Sequence, residues 1–189
     1  MTVSEKPLSL EAFLQRPERK PALEYEDGAV RRKVSPKGKH SLLRFALCDR
    51  INQFAAGRKL ALALPELRAT FAGRSYVPDV SVYRWQRLPH NAAGQIADDF
   101  HQAPDIAIEI VSPRQSVTAL LRRCLWYVAN RVQIALLVDA ADRSILLVRP
   151  DSTARALRGG DAIDLRPLLP GFDATVEQLF ARLDLASPS

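Results

Sequence analysis

One glutamate limits what this chain can fold into. Glu109 lies inside the apolar run Ala-Pro-Asp-Ile-Ala-Ile-Glu-Ile-Val-Ser-Pro (103–113), where a strand built for a hydrophobic core should carry no charge. An ionised carboxylate buried alone is so costly that it takes up a proton, pairs with a cation or binds a metal. A second acid, Asp79, sits in the similar run Val-Pro-Asp-Val-Ser-Val-Tyr (77–83). Strand geometry repeats every two residues, so Ile106, Ile108 and Ile110 share one face while Ala107, Glu109 and Val111 share the other. On the earlier strand Asp79, Ser81 and Tyr83 oppose Val80 and Val82, and the two acids converge if the strands are neighbours. Two strand-borne acids followed by a basic helix suggest a divalent-metal site that handles phosphate. A hard cation takes oxygen ligands, and one or two carboxylates with waters and phosphate complete its shell. A plainer alternative stays open. Asp after Pro is common at the start of a strand, and a lone Glu can face solvent or pair with Arg122 or Arg123.

The surrounding pattern is that of a mixed α/β sheet. Ser9 in an N-cap position precedes a short helix in Leu8–Leu14, and Asp27-Gly28 supplies the turn of a hairpin across Leu23–Val30. Apolar spacing predicts a helix from Lys39 to Ala56. Strands are predicted at Leu60–Leu64, Leu67–Phe71 and Val77–Tyr83 as a meander, with Gly73-Arg74-Ser75 as a separator. The stretch Pro89–Gln102 reads as a surface loop. Ile106–Val111 is a strand and Val117–Asn130 a helix, followed by strands at Gln133–Val138 and Ile145–Val148 and a closing helix at Val176–Leu183. Alternating strands and helices of this kind fit one domain over 1–189, with 1–20 as an N-terminal brace and 184–189 as a flexible tail.

Composition narrows the class without naming an activity. Hydrophobic residues are 47% and charged residues 25% of the chain, the usage of an ordinary globular domain rather than a disordered or membrane-embedded one. No apolar stretch is long enough to span a bilayer and no signal-peptide pattern is present, so a cytoplasmic location is the default expectation. Cys48 and Cys124 have no partner at zinc-ligand spacing and are expected to be free thiols. The net charge of +6 is compatible with a polyanionic partner. The densest basic stretch, Arg31, Arg32, Lys33, Lys37, Lys39 and Arg44, is a candidate DNA-backbone surface, with a solvated charged face as the alternative. His40 is either a phosphate contact near a helix start or an ordinary capping or surface histidine. Trp85 and Trp126 are core or interface candidates before base-stacking ones.

The motifs Val77-Pro-Asp-Val-Ser-Val-Tyr, Ala-Pro-Asp-Ile-Ala-Ile-Glu-Ile-Val-Ser-Pro, Arg123-Cys-Leu-Trp-Tyr127 with Leu136-Leu-Val-Asp139, and Leu-Leu-Pro-Gly-Phe172 resemble, in order, those of the Uma2 family. That family looks like a branch of the restriction-endonuclease-like PD-(D/E)XK nucleases, and the similarity runs from about Leu23 to Leu183. The resemblance implies a central mixed β-sheet flanked by helices. It also implies Asp79 and Glu109 as metal-binding acids, Mg²⁺ or Mn²⁺ as cofactor, and DNA as partner. The family's lysine, four positions before a tyrosine on the following helix, corresponds to Arg123 before Tyr127. Guanidinium does not give up its proton in practice, so Arg123 is no general base; it can neutralise charge developing on phosphorus. The Ile110 carbonyl or Gln115 completes coordination or orients water in this scheme, with Tyr127 and His40 supporting. Glu24 and Glu66 read as surface acids with a lesser claim on the site.

Three functions follow as expectations: a metal-dependent DNA endonuclease, weakened by Arg123 in place of lysine; a catalytically inactive DNA-binding or interaction protein of the same fold; and a phosphodiesterase acting on a nucleotide. Nucleases of this fold often pair to cut both strands, so a homodimer is compatible with the first.

Overall fold

The computed structural model describes residues 8–113, 115–151 and 153–185. Parts of the expected brace (1–7) and tail (186–189) lie outside them. In chain order the elements are α1 (Leu10–Leu14), β1 (Leu23–Glu26), β2 (Ala29–Arg32), α2 (Gly38–Ala55), β3 (Ala61–Pro65), β4 (Ala69–Phe71), β5 (Arg74–Tyr76), β6 (Val80–Arg84), β7 (Ile106–Ile110), α3 (Val117–Ala129), β8 (Ile134–Asp139), β9 (Ser144–Val148), β10 (Ala154–Arg158) and α4 (Val176–Phe180).

Six strands form the main sheet in the order β10-β9-β8-β7-β6-β3, and four form a smaller sheet in the order β2-β1-β5-β4. Among the strand pairs of the described residues β7 and β8 alone run parallel; such a pair needs a crossover, and α3 supplies it. The expected meander is therefore split between sheets. Ala72 and Gly73, both with positive φ (46° and 77°), form a two-residue turn that starts β5 at Arg74, where the sequence suggested only a separator. β5 then pairs with β4 and β1, whereas β3 pairs with β6. β10 is an addition: in this edge strand Leu157 is the one buried residue, which leaves no alternation to read.

The β7 isoleucines face α2 and α4 in one core with Leu43, Ile51, Leu136 and Val176. Ala107 faces the opposite layer, where Leu120, Cys124, Tyr127 and Val128 of α3 pack on Ala135 and Leu137. Ser116 caps α3 by accepting from Ala119 N–H at 3.2 Å, and Thr175 and Gln178 form a reciprocal capping box on α4. Phe71 and Tyr76 of the small sheet meet Trp126 and Tyr127 at ring separations of 5.1–6.2 Å. Although Trp126 and Tyr127 are successive on α3, both rings join one cluster because the β4–β5 hairpin covers the side to which Trp126 turns.

Candidate active site

Strand direction brings the two acids together. β6 and β7 are antiparallel, with Ser81 opposite Ala107 and Val80 opposite Ile108, and one further step sets Asp79 against Glu109. Both are buried. The Ile110 N–H donates to Asp79 Oδ2 at 2.7 Å. In an extended strand the N–H and C=O of one residue point to the same edge, so the Ile110 carbonyl also faces Asp79. The second Pro-Asp pair has a different fate. Asp105 precedes β7 and so lies at the far end of β6, where it accepts from the Arg84 N–H (2.8 Å) and Nε (2.9 Å) and pairs with Arg87 at 2.7 Å. It latches the sheet and stays out of the site.

A cavity of about 90 Å³ opens beside the acids, lined by Glu24, Lys33, His40, Asp79, Glu109 and Arg123, with Arg31, Arg32, Val34, Ser112 and Gln115 completing its wall. Tyr127 Oη donates to Glu109 Oε1 at 2.7 Å, and Arg123 Nη1 lies 3.6 Å from the same oxygen. Burial pushes the Glu109 carboxyl up from its ordinary pKa, a shift only partly offset by Arg123 and Lys33. Arg123 itself is fixed. Its two terminal nitrogens donate to Glu24 at 3.1 and 2.8 Å, and its guanidinium lies 4.5 Å over the Tyr76 ring.

Asp79 has the opposite balance. Burial alone would raise its pKa, but His40 Nε2 at 3.0 Å and Lys33 Nζ at 2.7 Å outweigh burial and hold it at about 2. His40 is buried, bridging Asp79 and Ser112 Oγ, which lies 2.8 Å from its Nδ1. That position is neither a helix cap nor a surface one. Gln115 turns back to accept from the Ser112 N–H at 2.9 Å, holding the loop that follows β7.

Two residues in this cavity carry more weight than their sequence context suggests. Glu24, read as a surface acid, is buried and accepts from the Val77 N–H at 3.0 Å. It breaks the strand pattern of β1 as Glu109 breaks that of β7, a signal masked by neighbouring Glu26 and Asp27. Lys33, grouped with the basic surface, turns inward. The rest of that stretch does not form one free face: Arg31 pairs with Glu26 at 3.3 Å and Arg44 with Glu66, while Arg32, Lys37 and Lys39 are exposed. Glu66 is on the surface, as expected.

The donor set suits a hard divalent ion. Lys33 Nζ and His40 Nε2 both approach Asp79 Oδ1 outside hydrogen-bond geometry, so this fully buried oxygen lacks a directed donor. Glu109 Oε2 makes no hydrogen bond among the described residues, and strand geometry turns the Ile110 carbonyl toward Asp79. Two carboxylates and a carbonyl are the oxygen chemistry of a magnesium-type site. Among the described residues no group of three or more His, Cys, Asp or Glu is placed to hold a metal by itself, so waters and substrate oxygens would complete the shell.

A mixed sheet with adjacent strand-borne acids and a helix facing them across a cavity is a nuclease-like arrangement. The chain belongs to the Uma2 family, described as "Putative restriction endonuclease", whose family model matches residues 10–177. Among solved structures it is similar to "a putative nuclease belonging to DUF820" from Anabaena variabilis ATCC 29413. The identity is 33%, with 94% of this chain and 99% of that chain covered and a TM-score of 0.90. No curated protein matches the chain. Among the described residues no helix is long and apolar enough to cross a membrane.

Proposed function

We propose that this protein is a Mg²⁺- or Mn²⁺-dependent endonuclease that hydrolyses phosphodiester bonds in DNA. The observation that carries the reading is the convergence of buried Asp79 and Glu109 on one cavity that Arg123 also reaches. Asp79, Glu109 and the Ile110 carbonyl would hold the ion. When bound, it supplies Lewis-acid polarisation of a phosphodiester oxygen and makes a neighbouring water more acidic.

The chain's own residues do the positioning. The Ile110 N–H and His40 orient Asp79, and the Tyr127 hydroxyl orients Glu109. Arg123, clamped by Glu24, sets a permanent positive charge beside Glu109, where negative charge builds on the phosphorane. Arg31 and Arg32 at the cavity wall suit contacts to the DNA backbone. The test compares native protein with Asp79→Asn on supercoiled and linear duplex DNA, with Mg²⁺ or Mn²⁺ and with EDTA. Cutting by native protein alone, abolished by EDTA, is expected. Equal inertness of native and variant overturns the nuclease reading in favour of a binding protein.

A further inference from the structure

We infer that Lys33, at the end of the small-sheet hairpin, is the lysine that contacts the scissile phosphate, the task Arg123 is too constrained to perform. This inference rests on the nuclease reading and assigns it a catalytic residue.

Lys33 follows β2, a strand whose side chains are otherwise half-buried or exposed. Its backbone N–H is pinned to the Ala22 carbonyl at 2.8 Å, and its side chain runs inward until only 10% of it is exposed. Nζ lies 2.7 Å from Asp79 Oδ1 and donates to the Val77 carbonyl at 2.6 Å. An ammonium has three donors; the Val77 carbonyl takes one and Asp79 at most another, so at least one remains for a ligand in the cavity. Arg123 has no such freedom, with two nitrogens on Glu24 and its plane on Tyr76.

The charges favour this division of labour. Glu24, Asp79 and Glu109 bring three negative charges to the cavity. Arg123 and Lys33 return two positive ones at its inner end, and Arg31 and Arg32 stand at its wall, so the cavity offers acids to a divalent ion and cations to a phosphodiester. Lys33 also opposes the ion it works beside. It crowds the very oxygen of Asp79 that lacks a directed donor, and a flexible four-carbon stem lets the ammonium swing from that oxygen to phosphate. Removing Lys33 should therefore move two measurements in opposite directions.

The experiment uses full-length native protein, Lys33→Met, Lys33→Gln and the double variant Lys33→Met/Arg123→Lys, with thermal melting as the check on folding. Mn²⁺ binding is read by isothermal titration calorimetry and cleavage on supercoiled plasmid. Lys33→Met and Lys33→Gln should bind Mn²⁺ at least as tightly as native protein while cleaving on the order of a hundredfold more slowly. The double variant, which returns a lysine to the helix, should recover most of the loss. Cleavage unchanged in both single variants overturns the Lys33 assignment and leaves the nuclease intact. Mn²⁺ affinity that falls together with cleavage marks Lys33 as structural and also overturns it. Inert native protein removes the nuclease reading and the Lys33 assignment together.

Discussion

Replacing Tyr127 by Phe isolates what holds Glu109 in place. Tyr127 is fully buried, and its hydroxyl makes a 2.7 Å hydrogen bond to Glu109 Oε1, itself buried. Phe keeps the ring and its packing on Phe71, Tyr76 and Trp126, so the lost free energy is that of the hydroxyl alone. The nearest other donor, Arg123, stands 3.6 Å away and is held by Glu24. A hydrogen bond to a charged group contributes about 1.5–3 kcal/mol. For a chain of this size each kcal/mol moves the melting temperature by roughly 2–4 °C, so a fall of about 3–12 °C is expected. Thermal unfolding followed by tryptophan fluorescence reads that fall, and urea unfolding at pH 7 reads the free energy. The internal control is Tyr83→Phe, which loses only a neutral bond to the Gln102 carbonyl at 3.2 Å and should cost less, about 0.5–1.5 kcal/mol. If Tyr127→Phe shifts stability by no more than the roughly 0.5 kcal/mol of a surface substitution, the hydroxyl does not support Glu109 and this account of the site is wrong.

Asp105→Asn should cost about 2–3 kcal/mol in the same assay, because it weakens charge-assisted bonds to Arg84 and Arg87 at a buried position; an unchanged urea midpoint would remove the latch. Ser116→Ala should cost about 1 kcal/mol through loss of the α3 cap, and a cost near zero would mean water replaces it. Both thiols are buried, and burial pushes Cys48 up to about 11 and Cys124 higher still. Native protein should therefore react with no thiol reagent at pH 8 and expose two thiols on unfolding. A thiol whose pKa is raised in the folded state favours folding below its unfolded value near 9 and loses that contribution as pH rises through 11. Stability should fall over that interval, and less so in Cys48→Ala.

Much of this site could be read from the chain because its acids break a simple rule. Glu109 interrupts a strand whose other residues are apolar, Asp79 opens a second apolar-rich run, and period two turns both toward one face. The identical dipeptides Pro78-Asp79 and Pro104-Asp105 were separable only by strand direction. Antiparallel pairing puts the start of β6 beside the end of β7 and the reverse at the other margin, which is a tertiary fact. Glu24 and Lys33 were harder for a related reason: both lie on a short polar hairpin, where a charged residue is the norm and inward orientation is decided by what docks beneath. β5 escaped notice because Arg74, Ser75 and Tyr76 owe their strand to partners in β4 and β1 rather than to their own pattern.

The two sheets divide the ownership of the cavity. Asp79 and Glu109 belong to the main sheet and its margin, whereas Glu24 and Lys33 ride on the β1–β2 hairpin. Small peripheral sheets open at lower free energy than central ones, as separate cooperative units. Backbone amides of β1 and β2 should thus exchange with deuterium as a group ahead of β7 and β8. Each such opening takes apart half of the charge constellation while the core stays folded. The hairpin is then a reversible fuse, and loss of function on warming should precede the main melting transition.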